Sequence, residues 1–270
     1  MKSDFGSILV KWRATRRVSQ LDLALSTAIS QKHISFIELG RAQPSRDMVL
    51  RLASGLELPL RARNELLLSA GYAPLYPERR LDLAEMQGAR EALELILHHH
   101  EPYPAIVTDS GWNIVLQNAA AGRLLAFCIS ANPRAQISRE ASVNFMRLMF
   151  TENGVRPCIQ NWTYTRAALL GRLRREAQAN PGSPSDRLLR ELGNDKPQTR
   201  DDEVNDGERL DPLLSLELLV HGHRLRLFSA FTTFGTPQDI TLQELRIDLS
   251  FPADRPTREF LVTAADGTRA

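Results

Sequence analysis

The sequence predicts a multi-domain chain: an all-α module of five short helices, then an α+β domain built on an antiparallel sheet. Three observations predict it. Apolar residues recur at helical spacing from Ile8 to Leu68, the pattern of amphipathic helices around one core. From Leu214 to Phe251 the period changes to two, as in strands with one dry and one wet face. Between these regions GYAPLYPERRLD (71–82) combines Gly, two Pro and a charged cluster, which reads as a linker. The expected divisions are a first domain at 1–72, a linker and connecting helix at 73–100, and a second domain at 101–265.

Composition narrows the class. A chain of 270 residues with 43% hydrophobic and 24% charged residues has the balance of a globular protein with one large or two ordinary domains. No stretch approaches the ~20 apolar residues that span a bilayer, so no membrane partner is expected. The N-terminal MKSDFGSILVKW meets charge too early for a secretory signal. Cys128 and Cys158 lie far apart with no CxxC partner, which supports neither a disulfide scaffold nor a zinc site. The cytoplasm is the expected location. Charge is uneven: residues 1–80 hold 13 Lys/Arg against 7 Asp/Glu, whereas the rest hold 21 against 25. A small basic module ahead of an acidic one suits a polyanion reader attached to something else, although a solvated surface gives the same surplus.

The first module reads as five helices. Ile8, Leu9 and Trp12 give the first an apolar face, with Arg13, Arg16 and Arg17 near its end, where cations suit the helix dipole. Ser19 is an N-cap with Asp22 in the capping-box position, and the second helix presents Leu21, Leu23, Ala24 and Leu25. Thr27-Ala28-Ile29 is a tight turn and Ser30 caps a third helix whose Ile34 and Ile37 point inward. Gln31, Lys32, Ser35 and His33 are left outside. Gly40 ends that helix. Pro44-Ser45 opens a fourth helix carrying Met48, Val49, Leu52 and Ala53; a fifth follows Pro59 and stops at Gly71.

Two short helices joined by a three-residue turn place the second in a DNA major groove. Gln31 suits bidentate bonding to adenine, and Lys32 reaches guanine or phosphate. Gln20 and Arg41 are phosphate candidates. SQLDLALSTAISQKHISFIELGRAQPS (19–45) resembles the lambda-repressor-like, XRE-type helix-turn-helix domain, through its Ser-Gln opening, the small Ala24, the Ile-x-x-Ile pair, and Glu38-Leu-Gly-Arg41 followed by Pro-Ser. The resemblance implies double-stranded DNA as partner, DNA-facing positions at Gln20, Gln31, Lys32 and Ser35, and an ion pair between Arg13 and Glu38. Phe36 departs from it, standing where some relatives carry a polar base-reading residue; it either touches a thymine methyl or turns inward. One such domain reads a half-site, so a homodimer is expected.

The second module opens with a helical pattern (Leu83, Met86, Leu93, Ile96, Leu97) that ends in His98-His99-His100. Three consecutive helical residues point about a hundred degrees apart, so these imidazoles suit helix-end carbonyls rather than a metal. Ala105–Val107 and Ile114–Leu116 read as strands around an Asp109-Ser-Gly111 turn, followed by helices near 120–128, 141–151 and 162–178. The acidic stretch 194–211 reads as a mobile loop. Leu214, Leu216, Leu218 and Val220, then Leu225, Leu227 and Phe231, then Leu245, Ile247, Leu249 and Phe251 make three antiparallel strands. In the last, Glu244, Arg246, Asp248 and Ser250 form the wet side. Helices between the strands, all on one sheet face, complete an α+β domain.

HHHEPYPAIVTDSGWNIVLQNAAA (98–121), the Asn161-Trp162 pair with RLRREA (172–177), and FTTFGTPQDITLQELRIDLSFPAD (231–254) resemble the MmyB-like regulators, in which an XRE-type domain precedes a PAS-like ligand-binding domain. The resemblance implies a sensor for a small apolar ligand, fatty acyl or other, with no further cofactor. Candidate lining residues are Phe145, Met149, Trp162, Leu169, Leu227, Phe231, Phe234 and Ile247, with Arg166 or Arg172 placed to meet a carboxylate. Ordinary core packing is the competing reading of each apolar residue. A protein-interaction or dimerisation module without ligand is the alternative for the whole domain. No GxSxG elbow, phosphate-cradling loop, HExxH or catalytic Cys–His spacing points to an enzyme.

Overall fold

The computed structural model describes residues 5–135, 143–193 and 215–267. The stretch 194–211, Leu214 and the first two residues of the expected 141–151 helix lie outside them. The described residues form two compact units. One takes in the chain up to Arg80 together with Phe234–Gln243; the other takes Leu81–Thr233 and the chain from Glu244 onward.

Five helices build the first unit: α1 (Phe5–Arg16), α2 (Gln20–Thr27), α3 (Gln31–Glu38), α4 (Arg46–Gly55) and α5 (Leu60–Ser69). Serines start three of them. Ser19 and Asp22 form a complete capping box at α2, and Ser30 and Ser45 accept from the backbone N–H three residues on, which satisfies donors a helix start leaves open. Leu9, Trp12, Leu23, Ile34, Ile37, Val49, Leu52, Leu66 and Leu67 fill one core. The apolar face of α2 is narrower than its composition suggests, because Leu23 and Thr27 alone are buried while Leu21 and Leu25 stand 53% and 75% exposed. Gly6 lets α1 approach the end of α3: a Cβ there would lie 2.4 Å from the Glu38 carbonyl oxygen.

The segment after α5 belongs to this unit. The Asn64 amide oxygen accepts from Leu75 N and Tyr76 N, and its nitrogen donates to Tyr76 O. One buried side chain thus satisfies three backbone groups of a segment outside any helix or strand.

In the second unit α6 (Gln87–His99) leads into β1 (Ala105–Thr108) and β2 (Ile114–Gln117). Then come α7 (Ala119–Ser130), α8 (Phe145–Phe150), α9 (Trp162–Ala179), α10 (Pro184–Gly193), β3 (Ser215–Val220) and β4 (His223–Thr232). The short α11 (Ile240–Glu244), of which all but the last residue belongs to the first unit, precedes β5 (Arg246–Pro252) and α12 (Arg255–Ala265). The strands form one antiparallel sheet in the order β2-β1-β5-β4-β3. Helix α10 has no counterpart in the sequence reading; it buries Leu188 and Leu192 one turn apart.

Register sets the two sheet faces, since directly paired residues point the same way. Asp248 pairs with Ile106 on one side and Phe231 on the other, and Ser250 pairs with Ser229. That face continues into Leu227, Leu216, Leu218 and Leu225 and packs against the core of α7, α8, α9 and α10. The opposite face carries Ile247, paired with Val107, and both are buried. The His100 ring stands edge-on to Phe251 there, 4.8 Å between centroids. Two expectations are thereby corrected. Helices cover more than one sheet face, and the polar side of β5 is the one turned toward the inner helices. A period-two pattern separates two faces but does not say which faces the larger core.

The connection from β4 to β5 leaves its own unit. Residues Phe234–Gln243 belong to the first unit, where the Gln243 amide oxygen accepts from Leu60 N at 2.7 Å. Helix α5 begins after Pro59, which offers no side-chain cap; Gln243 supplies it from 183 residues away. Asp239, itself buried, pairs with Arg79 at 3.2 Å, and Ile240 N donates to Pro77 O.

The second unit is pinned by one carboxylate. Glu176 on α9 accepts from the Trp112 indole N–H at 3.0 Å, the Ser185 hydroxyl at 2.7 Å and Arg172 Nε at 3.2 Å, and pairs with Arg246 at 3.1 Å.

Replacing Gly6 by Ala forces α1 away from α3 and is expected to cost about 1–3 kcal/mol in urea denaturation. Glu176→Ala strands two arginines and a buried indole N–H. Its expected cost is about 3–5 kcal/mol, seen as loss of amide-exchange protection in the second unit at lower urea than in the first.

Candidate functional site

The first candidate site is the outer surface of α3. The turn between α2 and α3 is closed by Ala28 in the left-handed region (φ 52°), and Arg51 from α4 donates to the carbonyls of Thr27 and Ala28. The Ser30 cap and buried Ile34 and Ile37 then fix the helix in roll. With that face inward, Gln31, Lys32 and Arg41 are exposed, and His33 and Ser35 half-buried. Phe36 is on the outer side, 36% exposed, with the Lys32 ammonium 5.7 Å above its ring.

Gln20 is held from behind. Its amide nitrogen donates to Glu38 at 2.6 Å, and the same carboxylate takes Arg13 at 2.8 Å with only 6% of its side chain exposed. Arg13 also donates to Val18 O, closing the α1–α2 turn. One ion pair thus positions α1, α2 and α3 and orients Gln20. Gly6 and Arg51, which shape this arrangement, were not singled out from the sequence. Gly6 carries no local signal, because only the approach of α3 makes it necessary.

The second candidate site is a cavity of about 110 Å³ between the sheet and the inner helices, well above the ~10–15 Å³ that one water needs. Leu124, Leu125 and Cys128 of α7, Phe145, Leu148 and Met149 of α8, and Leu216, Leu218 and Leu227 of the sheet make apolar walls. Gln117, Ser229, Asp248 and Ser250 form a polar strip on the sheet side. Asp248 is 7% exposed and its Oδ1 has no hydrogen-bond partner among the described residues. Burial pushes its carboxyl up to about 6, against the pull of a Ser229 hydrogen bond and the Arg172 charge.

Of the residues expected to line a pocket, Phe145, Met149 and Leu227 are on the cavity wall. Leu169 is in the adjoining core and Trp162 packs beside it, against Phe150 and under Arg156. Phe231 is 39% exposed, its ring 3.4 Å from the Arg172 guanidinium. Arg166 is half-buried on α9 and outside the wall. Ile247 lies on the opposite sheet face, and Phe234 belongs to the first unit. Arg172, the other cation expected to meet a carboxylate, is already engaged by Glu176. Asp248 was read as solvent-facing; its burial follows from a register that pattern alone does not supply.

A helix-turn-helix model matches residues 9–62, and the model of the MmyB-like transcription regulator ligand binding domain matches residues 89–263. The fold and these matches define a DNA-binding transcription regulator with a ligand-binding domain. The second match covers well over half of the chain, and the chain belongs to the MmyB-like transcription regulators. No curated protein matches it. The solved structure of an RNA-binding light-oxygen-voltage receptor is similar at 13% identity and a TM-score of 0.29. That similarity covers 100% of this chain and 64% of the receptor chain, so the protein spans less than two thirds of that relative's length.

A buried carboxyl with a raised pKa binds its proton more tightly in the folded chain than in the unfolded one. Its contribution to stability is therefore full below about pH 3.8 and lost as pH rises through about 6. Asp248→Asn removes this loss. The variant is expected to exceed the wild type by roughly 3 kcal/mol at pH 8, with the difference vanishing toward pH 4 in urea titrations across that range.

Proposed function

We propose that the protein is a ligand-responsive, sequence-specific DNA-binding regulator that acts in the cytoplasm as a homodimer and is not an enzyme. Its partner is double-stranded DNA, read through α3 with Gln31 and Lys32 at base edges, His33 and Ser35 beside them, and Gln20 and Arg41 on phosphate. The observation that carries this reading is the roll of α3, which buries Ile34 and Ile37 and leaves Gln31 and Lys32 at its exposed start. Two copies would read two half-sites about one helical turn apart. Among the described residues no helix is long and apolar enough to cross a membrane.

The second unit is a PAS-like sensor in this reading, and its ligand is a small apolar molecule of the acyl-chain kind. The apolar cavity favours it over a ligand-free interaction module. Strands β4 and β5 both line that cavity, and the chain between them belongs to the unit that carries α3. A ligand that prefers one arrangement of these strands biases residues continuous with the DNA-binding unit.

Specific gel-shift of the DNA upstream of the protein's own gene is the expected result at low salt. Gln31→Ala with Lys32→Ala should weaken it about 10-fold or more and leave thermal unfolding unchanged. Absence of specific binding, or binding that the double variant does not alter, would overturn the DNA-reading half. For the sensor half, native mass spectrometry of the purified protein should show a co-purifying apolar mass.

A further inference from the structure

A chemical mismatch inside the cavity says what its ligand carries. Of the described residues that line it, Asp248 alone bears a formal charge; no Lys, Arg or His is among them. Its Oδ1 is buried and unpartnered among the described residues, and an acceptor left so is costly until something donates to it. Three neighbours extend the polar strip across the sheet: Ser250 beside it on β5, Ser229 opposite on β4 with the two hydroxyls 3.4 Å apart, and Gln117 at the β2 edge. Arg172 is the cation whose charge reaches Asp248, but it binds Glu176 through Nε, lies over the Phe231 ring and does not line the cavity.

We propose that this cavity selects apolar molecules whose polar end is a hydrogen-bond donor, such as an alcohol or amide, seated on the Asp248 carboxylate, and that it rejects molecules ending in a carboxylate anion. The inference rests on the sensor reading above and narrows it. A fatty acyl chain suits the walls, but an ionised acid would set two carboxylates together in a largely apolar site with no cation among the described wall residues. A donor instead fills the open lone pair with a charge-assisted hydrogen bond.

Three eight-carbon probes separate the terms: 1-octanol; its isomer heptyl methyl ether, which accepts but cannot donate; and octanoate. Binding to the full chain is measured by titration calorimetry at pH 8, where Asp248 and octanoate are both ionised. Octanol should bind about 10-fold or more tighter than the ether, with octanoate weakest of the three. Asp248→Leu should erase the octanol–ether difference while keeping ether binding, which also reports that the variant is folded. Asp248→Asn, the milder change, should raise octanoate affinity about 10-fold or more and retain the octanol preference, because the amide oxygen still accepts. Octanoate binding to wild type as tightly as octanol overturns the proposal and leaves the cavity reading standing. So does an octanol preference that survives Asp248→Leu. If none of the probes binds, the cavity reading fails and the proposal falls with it.

Discussion

The ligand-binding unit depends on the carboxylate of Glu176. It gathers a helix (α9), the first turn of α10, the turn before β2 and the start of β5 onto two oxygen atoms, through Arg172, Ser185, Trp112 and Arg246. Trp112 shows how strong that constraint is. Its backbone sits at φ 64°, where bulky residues are rarely found, and its ring is 1% exposed. The indole N–H on Glu176, with Arg172 and Arg246 4.9 and 5.2 Å from the ring, holds it there. Asp109 prepares the turn by accepting from Gly111 N and Asn113 N. Both arginines are bound to Glu176 rather than placed on the cavity wall, and only the charge of Arg172 reaches Asp248, so the network that holds the walls also sets the cavity's electrostatic character.

The DNA-binding unit repeats that logic on a smaller scale. Glu38 is almost as buried as a core leucine, and its ion pair with Arg13 ties the end of α3 to α1 while holding the Gln20 amide. Burying such a pair is tolerable because both partners are further hydrogen-bonded. The outcome is positional: with α3 locked by two isoleucines behind and Glu38 at its end, the polar residues at its start have one direction to face. An excursion of the other unit's sheet completes the same bundle, since Gln243 caps α5 where Pro59 leaves an open N–H.

How much of this was legible depends on the distance over which each cause acts. Ser19 and Ser30 were readable as caps, and Pro44-Ser45 as a helix start, because a cap acts within three residues. Gly40 was readable as a terminator for the same reason, and it does take a positive φ of 68°. The alternation in β3, β4 and β5 was readable because a strand's side chains alternate whatever lies beside it. Arg13 and Glu38 were matched through a family pattern, not through spacing. Asp248 and Ile247 were assigned to the wrong environments, since both β5 faces are partly covered and the hydrophobic one is turned from the cavity. Helix α10 escaped because it buries only Ser185, Leu188 and Leu192 of a short segment rich in charge.

By itself the sequence determined the two-domain order, the five helices and basic character of the first module, the strands of the second, the caps, the inward isoleucines of α3 and hence its outward Gln31 and Lys32, but not α10, α11 or α12. All of these follow from interactions between residues a few positions apart. The tertiary structure alone decided which side of β5 meets the cavity and that Gly6 must lack a side chain. It also decided that the Cys158 thiol meets the Cys128 carbonyl across 30 residues, and that Gln243 caps a helix 183 residues upstream. Those facts depend on strand register and helix approach, which are set by the sum of many distant contacts and leave no local trace in the chain.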